Sequence, residues 1–116
     1  MVDDSRVMRQ IVCRTLRQAG FTGHDLVEAR NGVEGLAAVA RTQPDLVLSD
    51  WNMPMMDGLG MLTAMRSRGD ATPFGFVASK GASEMVRRAE AAGALFFINK
   101  PFTVAVFREK LQPVLG

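Results

Sequence analysis

The chain has 116 residues, of which 47% are hydrophobic and 22% charged, and its formal net charge is +2. This size suits one domain around one hydrophobic core, expected to span residues 1–116, and the balance excludes disordered and fibrous classes. No apolar run reaches the roughly 18 residues of a membrane-spanning helix, and Met1-Val2-Asp3-Asp4 lacks the basic and apolar regions of a signal peptide. Cys13 is alone and can form no disulfide within the chain. A cytoplasmic protein with no membrane insertion is expected. Arg6, Arg9, Arg14 and Arg17 recur along the first helical stretch. They are not gathered with stacking aromatics, so they read as a solvated helix face and no direct nucleic-acid binding is predicted.

In chain order, Met1-Val2 is the stub of a first strand, short against the usual 5–6 residues. Asp4 or Ser5 caps a helix whose apolar positions Met8, Ile11, Val12, Leu16 and Ala19 share one face. Gly20 ends it. A second strand is predicted at Leu26 to Ala29, interrupted by Glu28, and Asn31-Gly32 opens a second helix that Pro44 closes. Asp45 to Ser49 forms a third strand, an apolar burst suited to burial on both faces, and delivers Asp50 to a loop. A helix from about Leu59 to Arg66 carries Met61, Leu62 and Met65 on one side, either core filling or an adaptable partner surface. Phe74 to Ala78 is a fourth strand, followed by a loop through Ser79, Lys80 and Gly81. Ser83 looks like the cap of a helix running from Met85 to Ala92. Leu95 to Ile98 is a fifth strand that ends at Asn99-Lys100-Pro101, and Thr103 begins the last helix. Five alternations of strand and helix imply a parallel sheet with helices on both faces, and right-handed crossovers put every strand-to-helix loop at one edge.

That edge collects polar groups: Asp3 and Asp4 from the first strand, Asp50 from the third, Ser79 from the fourth, Lys100 from the fifth. Carboxylates held close together raise one another's pKa unless a cation joins them. An all-oxygen set favours a hard ion such as Mg²⁺. A mobile lysine suits a phosphoryl group, and a carboxylate nucleophile beside a metal suggests phosphoryl transfer to Asp50. Singly, each group has a plainer reading: Asp3-Asp4 and Asp50 as helix caps, Lys100 as a solvated strand end. Their coincidence at separate strand ends favours the site.

These residues carry a family resemblance. Val2-Asp3-Asp4, Asp50-Trp51-Asn52-Met53-Pro54, Met56-Asp57-Gly58, Ala92-Gly93-Ala94 and Lys100-Pro101-Phe102 together resemble the response-regulator receiver domain, and within it the single-domain chemotaxis regulators. The resemblance implies a flavodoxin-like five-stranded fold and phosphorylation of Asp50 by a histidine kinase. It implies Mg²⁺ bound by Asp4 directly, by Asp3 through water, by Asp50 and by the backbone carbonyl of Asn52. Lys100 would contact the phosphoryl group, aimed by a cis peptide before Pro101. Phe97 falls on the family's aromatic switch position, where a buried core side chain is the plainer reading. The family's switch hydroxyl ends the fourth strand. Counting back from Lys100 puts Ala78 there, so either Ser79 substitutes after a one-residue slip or the hydroxyl is missing. Adjacent strand residues point to opposite faces, so the two are not equivalent. Phosphorylation would add about −1.5 to −2 charge and remodel the face formed by the fourth helix, fifth strand and fifth helix, where a downstream protein would bind.

Three other readings compete. A haloacid-dehalogenase-type phosphatase also uses a strand-end Asp with Mg²⁺, but it needs a second acid where this chain has Asn52. A flavodoxin-like cofactor binder needs a phosphate-cradling loop where this chain has Asp3-Asp4. A degenerate receiver acting only through contacts is favoured by Ala78 and opposed by the intact acids and Lys100. The expected protein is therefore a phosphoacceptor and not a turnover enzyme.

Overall fold

The computed structural model describes residues 1–79 and 83–116. Its elements are α1 (Arg6–Gln18), α2 (Gly32–Thr42), β1 (Val47–Ser49), α3 (Gly58–Ser67), β2 (Phe74–Ser79), α4 (Ser83–Ala91), β3 (Phe96–Lys100) and α5 (Val104–Leu115). Four helices start where a short polar side chain accepts an orphan amide. The side chains of Ser5, Asn31, Asp57 and Thr103 accept from the N–H groups of Met8, Glu34, Gly60 and Val106. Each such cap stabilises by about 1 kcal/mol. Ser83 is the first helical residue of α4, so its cap position, like Lys80 and Gly81, lies outside the described residues. Ser79, expected in the loop, is the last residue of β2.

The sheet is parallel, in the order β1-β2-β3. The first two predicted strands are reduced to bridges: Val2 pairs in parallel with both Ala29 and Ser49. The spatial order is thus Ala29, Val2, β1, β2, β3, the five-segment parallel arrangement expected from the alternation. Residues 22–28 form no strand. With only Met1-Val2 to pair against, this polar-interrupted edge leaves Leu26 44% and Val27 38% exposed. An edge segment with one short neighbour has too few ladder bonds to hold an extended register.

Alternation along the strands divides the core between the two faces. Val47, Phe74, Phe76 and Ala78 join Leu36 and Val39 of α2 and Met61, Leu62 and Met65 of α3. Leu48, Val77, Phe96 and Ile98 join Val12 and Leu16 of α1 and Phe107 and Leu111 of α5. Met61 and Met65 are fully buried and fill core rather than presenting a partner surface. Gly75 is required where Phe96 crosses β2, because a Cβ there would stand 2.1 Å from the ring.

Candidate functional site

The chain order reverses between Val2 and β1, since the chain runs from Val2 to its neighbour Ala29 on one side and then crosses back to β1 on the other. In an open α/β sheet such a reversal leaves a crevice beyond the carboxyl ends of the strands. Asp3, Asp4 and Asp50 all emerge there. Backbone bonds set them: the Asp50 N–H donates to Val2 O at 2.9 Å and the Asp3 N–H to Ala29 O at 3.0 Å. One oxygen from each of the three carboxylates lies within 4.8 Å of the others.

Asp3 is 1% exposed. Its Oδ1 accepts from the Ser5 N–H at 2.9 Å and its Oδ2 from Lys100 Nζ at 3.1 Å. Lys100 Nζ also lies 3.5 Å from Asp50 Oδ2. Asp50 Oδ1 accepts from the Trp51 N–H at 2.7 Å, so Asp50 does not cap the following helix; Asp57 does that. Burial pushes the Asp50 carboxyl above the usual carboxylate range, against the lowering effect of Lys100 and with the reinforcement of Asp3. Asp4 is exposed at the mouth, and Asn52 is exposed in the loop after β1. The Lys100–Pro101 peptide is cis, as the family resemblance implied.

The strand register places Ala78 and Ser79 on opposite faces of β2. Ser79 pairs with Lys100 and Ala78 with Asn99, with no slip. Paired residues of a parallel ladder share a face, so Ser79 lies on the face of Lys100. Ala78, 1% exposed, lies on the face of Phe76 and Phe97. The side chain directed toward Phe97 therefore carries no hydroxyl. Phe97 is half-buried against that core, with its ring centroid 5.8 Å from Phe76 and 6.2 Å from Trp51.

Three supporting residues escaped sequence reasoning. Arg9, expected on a solvated face, has a side chain only 11% exposed; it pairs with Glu28 at 2.9 Å and donates to Asp3 O at 2.6 Å. A bond to a main-chain carbonyl leaves no mark in the sequence. Ser49 donates its hydroxyl to Asp50 O at 2.8 Å. Gly58 lies against the same carbonyl, where a Cβ would stand only 2.1 Å away, and its N–H donates to Trp51 O at 2.8 Å. The glycine was legible as turn chemistry, its close approach to Asp50 was not.

A set of three carboxylates with no nitrogen or sulfur donor fits a hard divalent cation, with one deeply buried acid, one half-buried and one at the mouth. Comparisons with known proteins agree with this architecture. The family model described as "Response regulator receiver domain" matches residues 1–112. The chain is 39% identical over 119 aligned residues to chemotaxis protein CheY1 of Helicobacter pylori, covering 100% of this chain and 94% of that protein. It is also 39% identical to the chemotaxis protein CheY homolog of Campylobacter jejuni, covering 100% of this chain and 90% of that protein. The solved structure of Vibrio cholerae chemotaxis protein CheY4 superposes with a TM-score of 0.85 at 34% identity, covering 98% of this chain and 94% of that one. By motif, fold and relatives alike, the chain belongs to the response regulator receiver family of two-component signalling.

Proposed function

We propose that this chain is a single receiver domain that accepts a phosphoryl group on Asp50 from a phosphohistidine of a histidine kinase. The observation that carries the reading is Asp50 Oδ2 lying 3.5 Å from Lys100 Nζ within a cluster of three carboxylates. An Asp50 oxygen attacks phosphorus, the P–N bond to the histidine breaks, and the imidazole nitrogen keeps the electron pair and is protonated. Lys100 offsets the charge that builds on the phosphoryl oxygens, and the Trp51 N–H holds the other Asp50 oxygen in place. Asp3, Asp4, Asp50 and the carbonyl of Asn52 would hold Mg²⁺. Held there, such an ion would supply positive charge to offset that of the reacting oxygens. The acid cluster would otherwise repel an incoming phosphoryl group.

The output is a protein contact on the face built from α4, β3 and α5, in the cytoplasm, and the names of the relatives favour chemotaxis as the setting. The chain acts as a stoichiometric switch and not as a turnover enzyme. Trp51 is the single tryptophan and adjoins Asp50. Titrating Mg²⁺ and then a small phosphodonor should change its fluorescence, with mass spectrometry showing one added phosphoryl group. Asp50→Asn should abolish the donor response. An unchanged donor response in that variant, or none to Mg²⁺ in the parent, would sink the reading.

A further inference from the structure

Ala78 offers no hydroxyl toward Phe97, and Ser79 stands on the other face of β2. The described residues nevertheless contain a continuous physical path from Asp50 to α4. Its first link is the 2.7 Å bond from the Trp51 N–H to Asp50 Oδ1, so any change of charge or position at that carboxylate is felt at Trp51. The second link is the Trp51 ring, 7% exposed and packed at 4.9 Å between centroids against Phe76 and at 6.2 Å against Phe97. The third is Arg88 of α4, whose guanidinium carbon lies 5.9 Å from the centroid of the Trp51 ring.

Two further features make α4 the element that such a path can move. Among the described residues Arg88 has no carboxylate partner, and Glu84, four residues before it, pairs with Arg87 at 3.1 Å. The guanidinium is thus free to follow the ring. α4 also buries only Ala89 completely, with Met85 packed partly buried against the core, whereas α2 and α3 each bury four residues, α1 three and α5 two. A helix anchored by so little apolar surface has a low local opening free energy, and a small bias redistributes its conformations.

We infer that Trp51 and Arg88 act as positioning residues that carry the state of Asp50 to α4, in place of a strand-end hydroxyl. This relay rests on the phosphoacceptor reading of Asp50. When that carboxylate is loaded, the acceptor seen by the Trp51 N–H changes charge, the indole shifts against Phe76 and Phe97, and the guanidinium above it carries α4 along. A cation–π contact at such a partly exposed position changes a conformational equilibrium by about two- to fivefold, enough to grade a docking face though not to close it outright.

The test is hydrogen exchange across Ser83–Ala91 in the full chain, with and without Mg²⁺ plus beryllofluoride, while fluorine NMR reports bound beryllofluoride separately. The parent, Arg88→Lys and Ser79→Ala should show the same ligand-induced change in α4 exchange. Arg88→Met keeps most of the aliphatic stem and should lose about two- to fivefold of that change with beryllofluoride still bound. A full α4 response in Arg88→Met with ligand bound overturns the relay and leaves the phosphoacceptor reading intact. So does loss of the response in Ser79→Ala. No bound beryllofluoride in the parent overturns both.

Discussion

The two halves of the site are built to different standards of rigidity. On the side of Asp3, Asp50 and Lys100, each charged group is held by short bonds. Asp3 is clasped by Ser5, Lys100 and the neighbouring backbone, and Asp50 is pinned at both its amide and its carboxylate. On the side of Ala78, Ser79, Phe97 and α4, the side chain at Ala78 is a methyl, an aromatic ring is half-buried, and the helix buries Ala89 completely and Met85 in part. Under the proposed function the contrast separates two jobs. A group that must receive a phosphoryl needs fixed geometry before the reaction, because reorganisation during it raises the barrier. A surface that reports the event needs two arrangements close in free energy.

That contrast can be broken first at Gly58. Placing a methyl there drives it to 2.1 Å from Asp50 O and 2.8 Å from the Phe76 ring. Gly58→Ala should destabilise the fold by about 2 kcal/mol or more, read as a lower urea midpoint at unchanged slope. A midpoint equal to the parent's would show that the rigid half yields.

A smaller effect, opposite in sign, should come from Asp50 itself. Burial and Asp3 raise its carboxyl above the ordinary range despite Lys100, so the charged form is disfavoured in the fold. For an acid raised in this way, the stabilising contribution is fully present below the unfolded value near 3.8. It is lost as pH rises through the folded value. Without metal, Asp50→Asn should therefore be more stable than the parent at neutral pH, read as a higher Tm. The gap should close as pH falls through the raised folded value, where the parent's carboxyl becomes neutral too. Mg²⁺ should reverse the order by stabilising only the parent. A gap that stays constant from pH 4 to 7 would refute the electrostatic account.

The smallest effect is expected at Ser79, exposed at the end of β2. Ser79→Ala should leave stability within about 0.5 kcal/mol and leave phosphorylation of Asp50 unchanged. A large loss of phosphoryl uptake in that variant would place Ser79 in the rigid half.

Much of this was legible in residue order. The caps at Ser5, Asn31 and Thr103 lie where a short polar side chain precedes a helical apolar pattern. The runs at Asp45 to Ser49, Phe74 to Ala78 and Leu95 to Ile98 were readable as buried strands because both faces demand apolar residues, and the structure shifts their ends by one or two residues, carrying β2 to Ser79 and β3 to Lys100. The edge at Leu26 to Ala29 was not. Its composition suits a strand, yet a strand needs neighbours, and Met1-Val2 supplies almost none. Arg9 was misread for a related reason: helical spacing places it on an outer face, while a 2.6 Å bond to Asp3 O draws its side chain inward.

By itself the sequence determined which residue types stand at strand ends, and with them the acids, the lysine and the family. Burial periodicity and turn chemistry are local, so they survive translation into one dimension. Only the tertiary structure decided which of these groups meet and which way they face. The parallel register set Ala78 rather than Ser79 beside Phe97, the reversal of strand order between Val2 and β1 brought Asp3 to Asp50, and the docking of α4 placed Arg88 over Trp51. Each of those outcomes depends on pairing between segments far apart in the chain, where a shift of one residue turns every side chain to the opposite face.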